Sequence, residues 1–155
     1  MHNDEYLSFM LDGDEYSVPI LQVREVRGWT PVRAVPHGPR SLLGVLEIRG
    51  EYVPVVDLRQ CFALEPASLC ATTVVIVVNL ANHQPLGIVV DAVAEVYSFS
   101  ASQIKPPPQG LHIHENYIQG LAAIAGRHVI IIDLMTLCGA AITDKAHKEK
   151  ISAAC

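Results

Sequence analysis

The chain has little that could do chemistry. It contains no Gly-x-Ser-x-Gly element, no glycine-rich phosphate loop followed by lysine, and no His-Glu-x-x-His run. Those absences speak against the common serine hydrolases, P-loop nucleotidases and zinc peptidases. Aromatic residues make up only 6%, and 11 Lys and Arg are scattered among 16 Asp and Glu, for a net charge of −5. Nucleic-acid binding needs a clustered basic surface and stacking platforms, so it is disfavoured. The longest apolar run, Val74-Val75-Ile76-Val77-Val78, is far shorter than the roughly 20 residues that span a bilayer, so no direct membrane insertion is expected. The opening Met1-His2-Asn3-Asp4-Glu5 is polar and acidic, unlike a secretory signal, and predicts a cytoplasmic protein. Cys61, Cys70, Cys138 and Cys155 show no paired short spacing. The first three sit beside apolar residues and read as reduced, mostly packed thiols, whereas Cys155, in a polar tail, is the one expected to react. Sustained helical periodicity is also missing, which argues against an α/β fold.

What the chain does have is core material and a repeat. Half of the residues are hydrophobic and 17% are charged, which rules against a disordered chain. Gly44-Val45-Leu46-Glu47-Ile48-Arg49-Gly50-Glu51-Tyr52-Val53-Pro54-Val55-Val56-Asp57-Leu58 reappears, without a gap, as residues 120–134. Gly44, Ile48, Gly50, Val53, Asp57 and Leu58 match Gly120, Ile124, Gly126, Val129, Asp133 and Leu134. Residues 18–26 are echoed by residues 88–96, in the same order along the chain. Each unit is too small to bury much core alone, so two similar units sharing a core are expected.

Strand and turn signals fill both units. Tyr6 to Leu11, the turn Asp12-Gly13-Asp14 and Glu15 to Val18 read as a hairpin. Gly44 to Arg49, a turn at Gly50-Glu51, and Tyr52 to Leu58 form a second hairpin, with Pro54 expected at an edge or bulge. In the second unit, Val74 to Leu80 is a strand, Leu86 to Tyr97 a long or broken one, and Tyr117 to Ile132 a hairpin turning at Gly126-Arg127. Short helical turns are expected at residues 100–104, under a serine cap, and at residues 134–138. Short strands at close spacing with Gly and Pro turns indicate an all-β barrel architecture. The expected division is one barrel over about residues 14–70 and another over about 71–134. The strand at 6–11 could belong to either, and 140–155 forms a tail.

These segments resemble the CheW family of chemotaxis coupling proteins. The resemblance rests on Glu15-Tyr16-Ser17-Val18, Ile20 to Gly28, Gly44 to Arg59, Thr73 to Leu80, Gly87 to Asp91 and Gln103-Ile104-Lys105-Pro106. It covers about residues 5–139. It implies two SH3-like five-stranded barrels around a shared core, in a stand-alone, non-catalytic adaptor without cofactors. The implied partners are the cytoplasmic tip of a methyl-accepting chemoreceptor and a CheA-type histidine kinase. The implied location is the cytoplasmic side of membrane receptor arrays. The family's usual Asn-Leu-Arg-Gly stands here as Glu47-Ile48-Arg49-Gly50.

Five residues are candidates for partner binding. In the alternation Leu46-Glu47-Ile48-Arg49, the apolar pair points one way and Glu47 and Arg49 the other. An outward Arg49 offers a planar guanidinium to a partner carboxylate. Taken without the resemblance, a surface ion pair between Arg49 and Glu47 is the simpler reading; the family's Arg-Gly shifts the balance to coupling. Val23 and Glu25 lie in the segment that contributes to partner contact in the family. Their echo in Val93, Glu95 and Val96 also fits a plain packing role for Val23 and Val26, with Glu25 solvated. Trp29, the sole tryptophan, is either an interface anchor or a lid over the first barrel. Asp57 and Asp133, each before a leucine at a strand end, read as backbone caps rather than a catalytic pair. The rival function is a small hydrolase or metal-dependent enzyme using His112, His114 and an aspartate. Two histidines one residue apart share a strand face, but surface histidines without a metal are the default expectation.

Overall fold

The computed structural model describes residues 3–36, 38–80, 83–107 and 117–138. Among these, the strands are β1 (Asp4–Leu11), β2 (Asp14–Pro19), β3 (Val23–Gly28), β4 (Leu42–Ile48), β5 (Glu51–Asp57), β6 (Val74–Asn79), β7 (Pro85–Val90), β8 (Ala92–Phe99), β9 (Ile104–Lys105), β10 (Ile118–Ile124) and β11 (Arg127–Ile132). One helical turn, α1 (Leu58–Cys61), follows β5, and residues 134–138 (α2) are helical after β11. The strands form two sheets, ordered β3-β6-β7-β5-β4 and β8-β1-β2-β11-β10-β9. The all-β expectation holds, and the short helical turns fall where the caps put them. Ser100 makes a capping box with Gln103, and Asp57 accepts from the Arg59 N–H.

The division at residue 70 does not hold. β6 and β7, from the second sequence unit, complete the first sheet, while β2, from the first unit, and β1, which precedes it, complete the second. The two units therefore exchange hairpins. Each exchanged hairpin enters through a parallel pairing: β7 beside β5 with Gly87 against Val55, and β2 beside β11 with Ser17 against Ile131. The strand at 6–11 consequently sits in the second barrel, beside β8. Of the long or broken strand expected over 86–97, the structure shows the broken form, interrupted at Asp91, where the chain leaves one sheet for the other. β5 lies inside its sheet rather than at an edge. Pro54 is tolerated because the ladder with β7 starts only at Val55.

Equivalent strands also match in detail. The register slips between Leu42 and Gly44 on β4, and between Ile118 and Gly120 on β10. A Cβ at Gly44 would lie 2.2 Å from the Arg33 carbonyl oxygen, and one at Gly120 would lie 3.0 Å from that of Lys105. Arg33 bridges to Val45 just as Lys105 pairs with Leu121. The repeated glycine is thus the place where a crossing segment presses on the hairpin.

Burial explains the apolar run in β6. Val75 and Val77 face the interior of the first barrel with Val53, Val55 and Val89. Ile76 and Val78 face the shared core with Val56, Ile88, Phe9, Leu11 and Val18. A strand covered on both faces needs no polar alternation. The second barrel has its own cluster around Tyr6, Tyr97, Phe99, Val129 and Ile131. It also holds a polar group: the Ser8 and Tyr97 hydroxyls donate to buried Glu15 at 2.6 and 2.8 Å.

Candidate docking surface

The β4–β5 turn carries Arg49. It is a two-residue connection between Ile48 and Glu51, and both of its residues, Arg49 (φ 52°) and Gly50 (φ 81°), adopt left-handed backbone. That is the geometry that matches the twist of a tight hairpin, and it favours Asn or Gly in the first place. Arginine there carries strain of about 1–2 kcal/mol, while its side chain stands 79% exposed.

The ion pairs around this turn also close the first barrel. β3 and β4 are the outermost strands of their sheet, yet Arg24 Nη1 on β3 donates to Glu51 Oε2 at 3.3 Å. Arg49 Nη1 lies 3.9 Å from Glu25 Oε1, and Glu25 also lies 4.0 Å from Arg27. The partner of Arg49 is therefore Glu25, not the Glu47 of the simpler sequence reading. Glu47 is exposed and pairs across the hairpin with Tyr52, itself 63% exposed. Exposed pairs of this kind contribute about 0–1 kcal/mol each, so the network costs little to rearrange when a partner arrives.

The structure brings two of the five sequence candidates, Arg49 and Glu25, within 3.9 Å of each other, and Glu47 is exposed on the adjoining strand β4. Val23 turns inward and packs against the shared core. Trp29 is half-buried against the first barrel's cluster, the lid position, with its backbone N–H donating to the Thr73 carbonyl oxygen at 2.9 Å. The pairing register slips between Val23 and Glu25, so Val23 pairs with Val78 and Val26 with Ile76, on one face of the sheet; Val26 on the edge strand is nevertheless 47% exposed, unlike the packed residue of the plain packing reading. Tyr52, Val26, Arg24 and Glu51 belong to the surface but were not among the candidates. The charged spacing Arg24-Glu25-x-Arg27 on an edge strand was the available signal.

Other charged groups satisfy one another. Arg59 donates through Nε and Nη2 to both oxygens of Asp91 at 2.8 Å, and Asp12 lies 3.6 Å away. These hydrogen bonds hold the Asp91 carboxyl below its ordinary range. The ion pair forms one wall of a cleft of about 430 Å³ that also reaches Cys70 and Thr73. Cys70 is exposed rather than packed, and the Thr72 and Thr73 hydroxyls lower its thiol to about 7. Asp57 and Asp133 act as caps: Asp57 accepts from the N–H groups of Arg59 and Ala67, Asp133 from those of Met135 and Thr136. Among the described residues no three His, Cys, Asp or Glu converge to hold a metal. His112, His114 and Cys155 lie outside the described residues.

A surface of exposed charge and aromatic area on a barrel edge fits binding, and comparison with known proteins decides the kind. The CheW-like domain model matches residues 5–141. The chain belongs to the CheW-like family. It is 40% identical over 134 residues to the chemotaxis protein CheW of Klebsiella aerogenes, covering 86% of this chain and 80% of that one. It is 34% identical to a probable chemotaxis protein CheW of Rhizobium etli, covering 86% of each chain. The crystal structure of the scaffolding protein TtCheW from Thermoanaerobacter tengcongensis superposes with a TM-score of 0.81 at 29% identity, covering 88% of this chain and 92% of that one. Membership makes this CheW-like protein a chemotaxis scaffold rather than an enzyme. No helix among the described residues is long and apolar enough to cross a membrane.

Proposed function

We propose that this CheW-like protein couples the cytoplasmic tip of a methyl-accepting chemoreceptor to a CheA-type histidine kinase, on the cytoplasmic side of membrane receptor arrays. The proposed docking face is the β4–β5 turn with the edge of β3. The observation that carries this reading is Arg49, 79% exposed at the tip of a tight hairpin whose turn directs its guanidinium to solvent. Glu25 lies 3.9 Å from the guanidinium, and the exposed Glu47, Tyr52 and Val26 lie on the adjoining strands β4, β5 and β3. Exposed charge mixed with exposed apolar area is the usual composition of a transient interface. Val23 and Trp29 support the face from beneath rather than touching the partner. Receptor state would act on the kinase by changing how the adaptor is held between them, a population shift within the assembly.

The test is reconstitution of the protein with a receptor signalling fragment and the kinase. Ternary complex formation is followed by co-sedimentation and kinase autophosphorylation. Receptor-dependent stimulation of the kinase that requires this protein is the expected result. Failure to bind either component would overturn the reading.

A further inference from the structure

Two of the thiols meet in the shared core. Cys61 ends α1, Cys138 lies in α2, and their sulfurs are 4.0 Å apart although 77 positions separate them in the chain. α1 and α2 are the equivalent turns of the two sequence units, each begun by a capping aspartate, Asp57 and Asp133. The hairpin exchange brings these turns together. Cys138 is fully buried, whereas Cys61 is half-buried and retains access to solvent. Both pack with Phe62, Leu58, Leu134 and Leu137.

We propose that Cys61 and Cys138 form an oxidisable dithiol, which a hydroperoxide converts into an intramolecular disulfide joining α1 to α2. The geometry divides the labour between them. Cys138 keeps its proton, because its bond to Cys61 and then burial push its thiol upward. Cys61 accepts that bond, which lowers its own thiol against the opposing effect of burial. The more acidic and more accessible sulfur is therefore the one that meets the oxidant. The Cys61 thiolate attacks the terminal peroxide oxygen, the O–O bond breaks, and the alkoxide leaves and takes a proton as an alcohol. Cys138 sulfur then attacks the sulfur of the Cys61 sulfenic acid. The S–S bond forms, the S–O bond breaks, and hydroxide leaves with the Cys138 proton as water. Each sulfur is oxidised by one electron and the peroxide is reduced by two. The sulfurs must approach by about 2 Å to reach the disulfide length. The bond would close a loop spanning the whole of the second sequence unit, so the unfolded chain loses much of its freedom. Disulfides in reducing compartments are mostly transient and regulatory, which fits a pair that rests as thiols.

The test uses the full chain with all four cysteines. The protein is treated with one equivalent of hydrogen peroxide, free thiols are alkylated, and peptides are mapped by mass spectrometry without reduction. The expected product is a linked peptide pair carrying Cys61 and Cys138. The thermal midpoint should rise by about 5–10 °C and return to its starting value with dithiothreitol. Cys61→Ser should abolish both effects, and Cys70→Ser should leave both intact. Cys138→Ala, a small apolar replacement, should keep the fold and leave Cys61 as a sulfenic acid that a dimedone probe traps. Recovery of Cys61 and Cys138 as alkylated thiols while Cys70 or Cys155 is oxidised would overturn the proposal. So would linkage of Cys138 to Cys155, or a midpoint rise that survives Cys61→Ser.

Discussion

Replacing Arg49 with glycine separates docking from stability. Three terms act on the fold. Glycine relieves the left-handed strain at φ 52°, worth about 1–2 kcal/mol. It loosens the unfolded chain, at a cost of about 0.4–1 kcal/mol. It removes the 3.9 Å pair with Glu25, in which Arg49 is 79% exposed, worth about 0–1 kcal/mol. These nearly cancel, so the midpoint of thermal unfolding should stay within about 3 °C of wild type. Binding has no such compensation. Losing charge-assisted hydrogen bonds to a partner carboxylate costs about 1.5–3 kcal/mol, a fall of roughly 10- to 150-fold in affinity. Arg49→Glu should weaken binding further through like-charge repulsion. Glu47→Gln should be nearly silent, because Glu47 pairs with no cation in the structure's ion-pair network around the turn. Binding is read by titration against the receptor fragment and the kinase, and stability by thermal unfolding. Unchanged affinity in Arg49→Gly would place the docking face elsewhere. A midpoint lowered by much more than 3 °C would refute the strain argument.

Three further outcomes test the packing. Arg59→Gln should release Asp91, which the arginine holds below the ordinary carboxylate range. The stabilisation from a depressed carboxyl is complete above the unfolded value of about 3.9 and disappears below the folded one, so the deficit of the variant, measured by denaturant melts, should shrink as pH falls below 4. Burial and then the bond to Glu15 push the Tyr97 hydroxyl up to about 12. Its contribution is complete below the unfolded value of about 10 and is lost as pH rises from there towards 12, so Tyr97→Phe should flatten alkaline unfolding while costing about 1–2 kcal/mol at neutral pH. Gly44→Ala should cost at least the upper end of the about 1–3 kcal/mol of an overpacked site, and more than Gly120→Ala, since its Cβ would meet a backbone oxygen at 2.2 Å rather than 3.0 Å; equal losses in urea melts would refute the ranking.

What could be read from the residues was whatever depends on neighbours in the chain. The Gly44 and Gly120 match, the caps at Asp57 and Asp133, and the buried run in β6 are local patterns with local causes. Strand partnership is not local. A parallel pairing such as Val55 beside Gly87 leaves no turn residue to announce it, so the hairpin exchange stayed hidden and the units were divided near residue 70. Register slips are equally silent. One extra residue between Val23 and Glu25 puts Val23 and Val26, three apart, opposite Val78 and Ile76 on one face of the sheet, which regular alternation would not do. Arg49 faces outward as expected, but because of the turn's backbone rather than strand alternation, and its ion pair reaches across to Glu25 on another strand. The Cys61–Cys138 contact, spanning 77 positions, is of the same kind.

The exchange also constrains how signals could pass through the protein. A hinge between domains needs a linker crossed by few contacts. Here the chain passes between the sheets at Pro19–Val23 and again at Asp91, and the two parallel pairings anchor each crossing hairpin in the opposite barrel. The shared core draws Phe9, Leu11 and Val18 from one sheet and Val56, Ile76 and Ile88 from the other. Arg59 on α1 then fastens Asp91 at the second crossing, with Asp12 of the β1–β2 turn alongside. Each parallel pairing lies within a single sheet and would survive rotation of one barrel against the other, but such rotation would open the shared core and strain both chain crossings. The shared core therefore favours motion of the protein as one rigid bar. Information from a receptor would reach a kinase as displacement of the whole bar, and the sensitive parts are the exposed contacts at its surface, Arg49 foremost, rather than any joint within it.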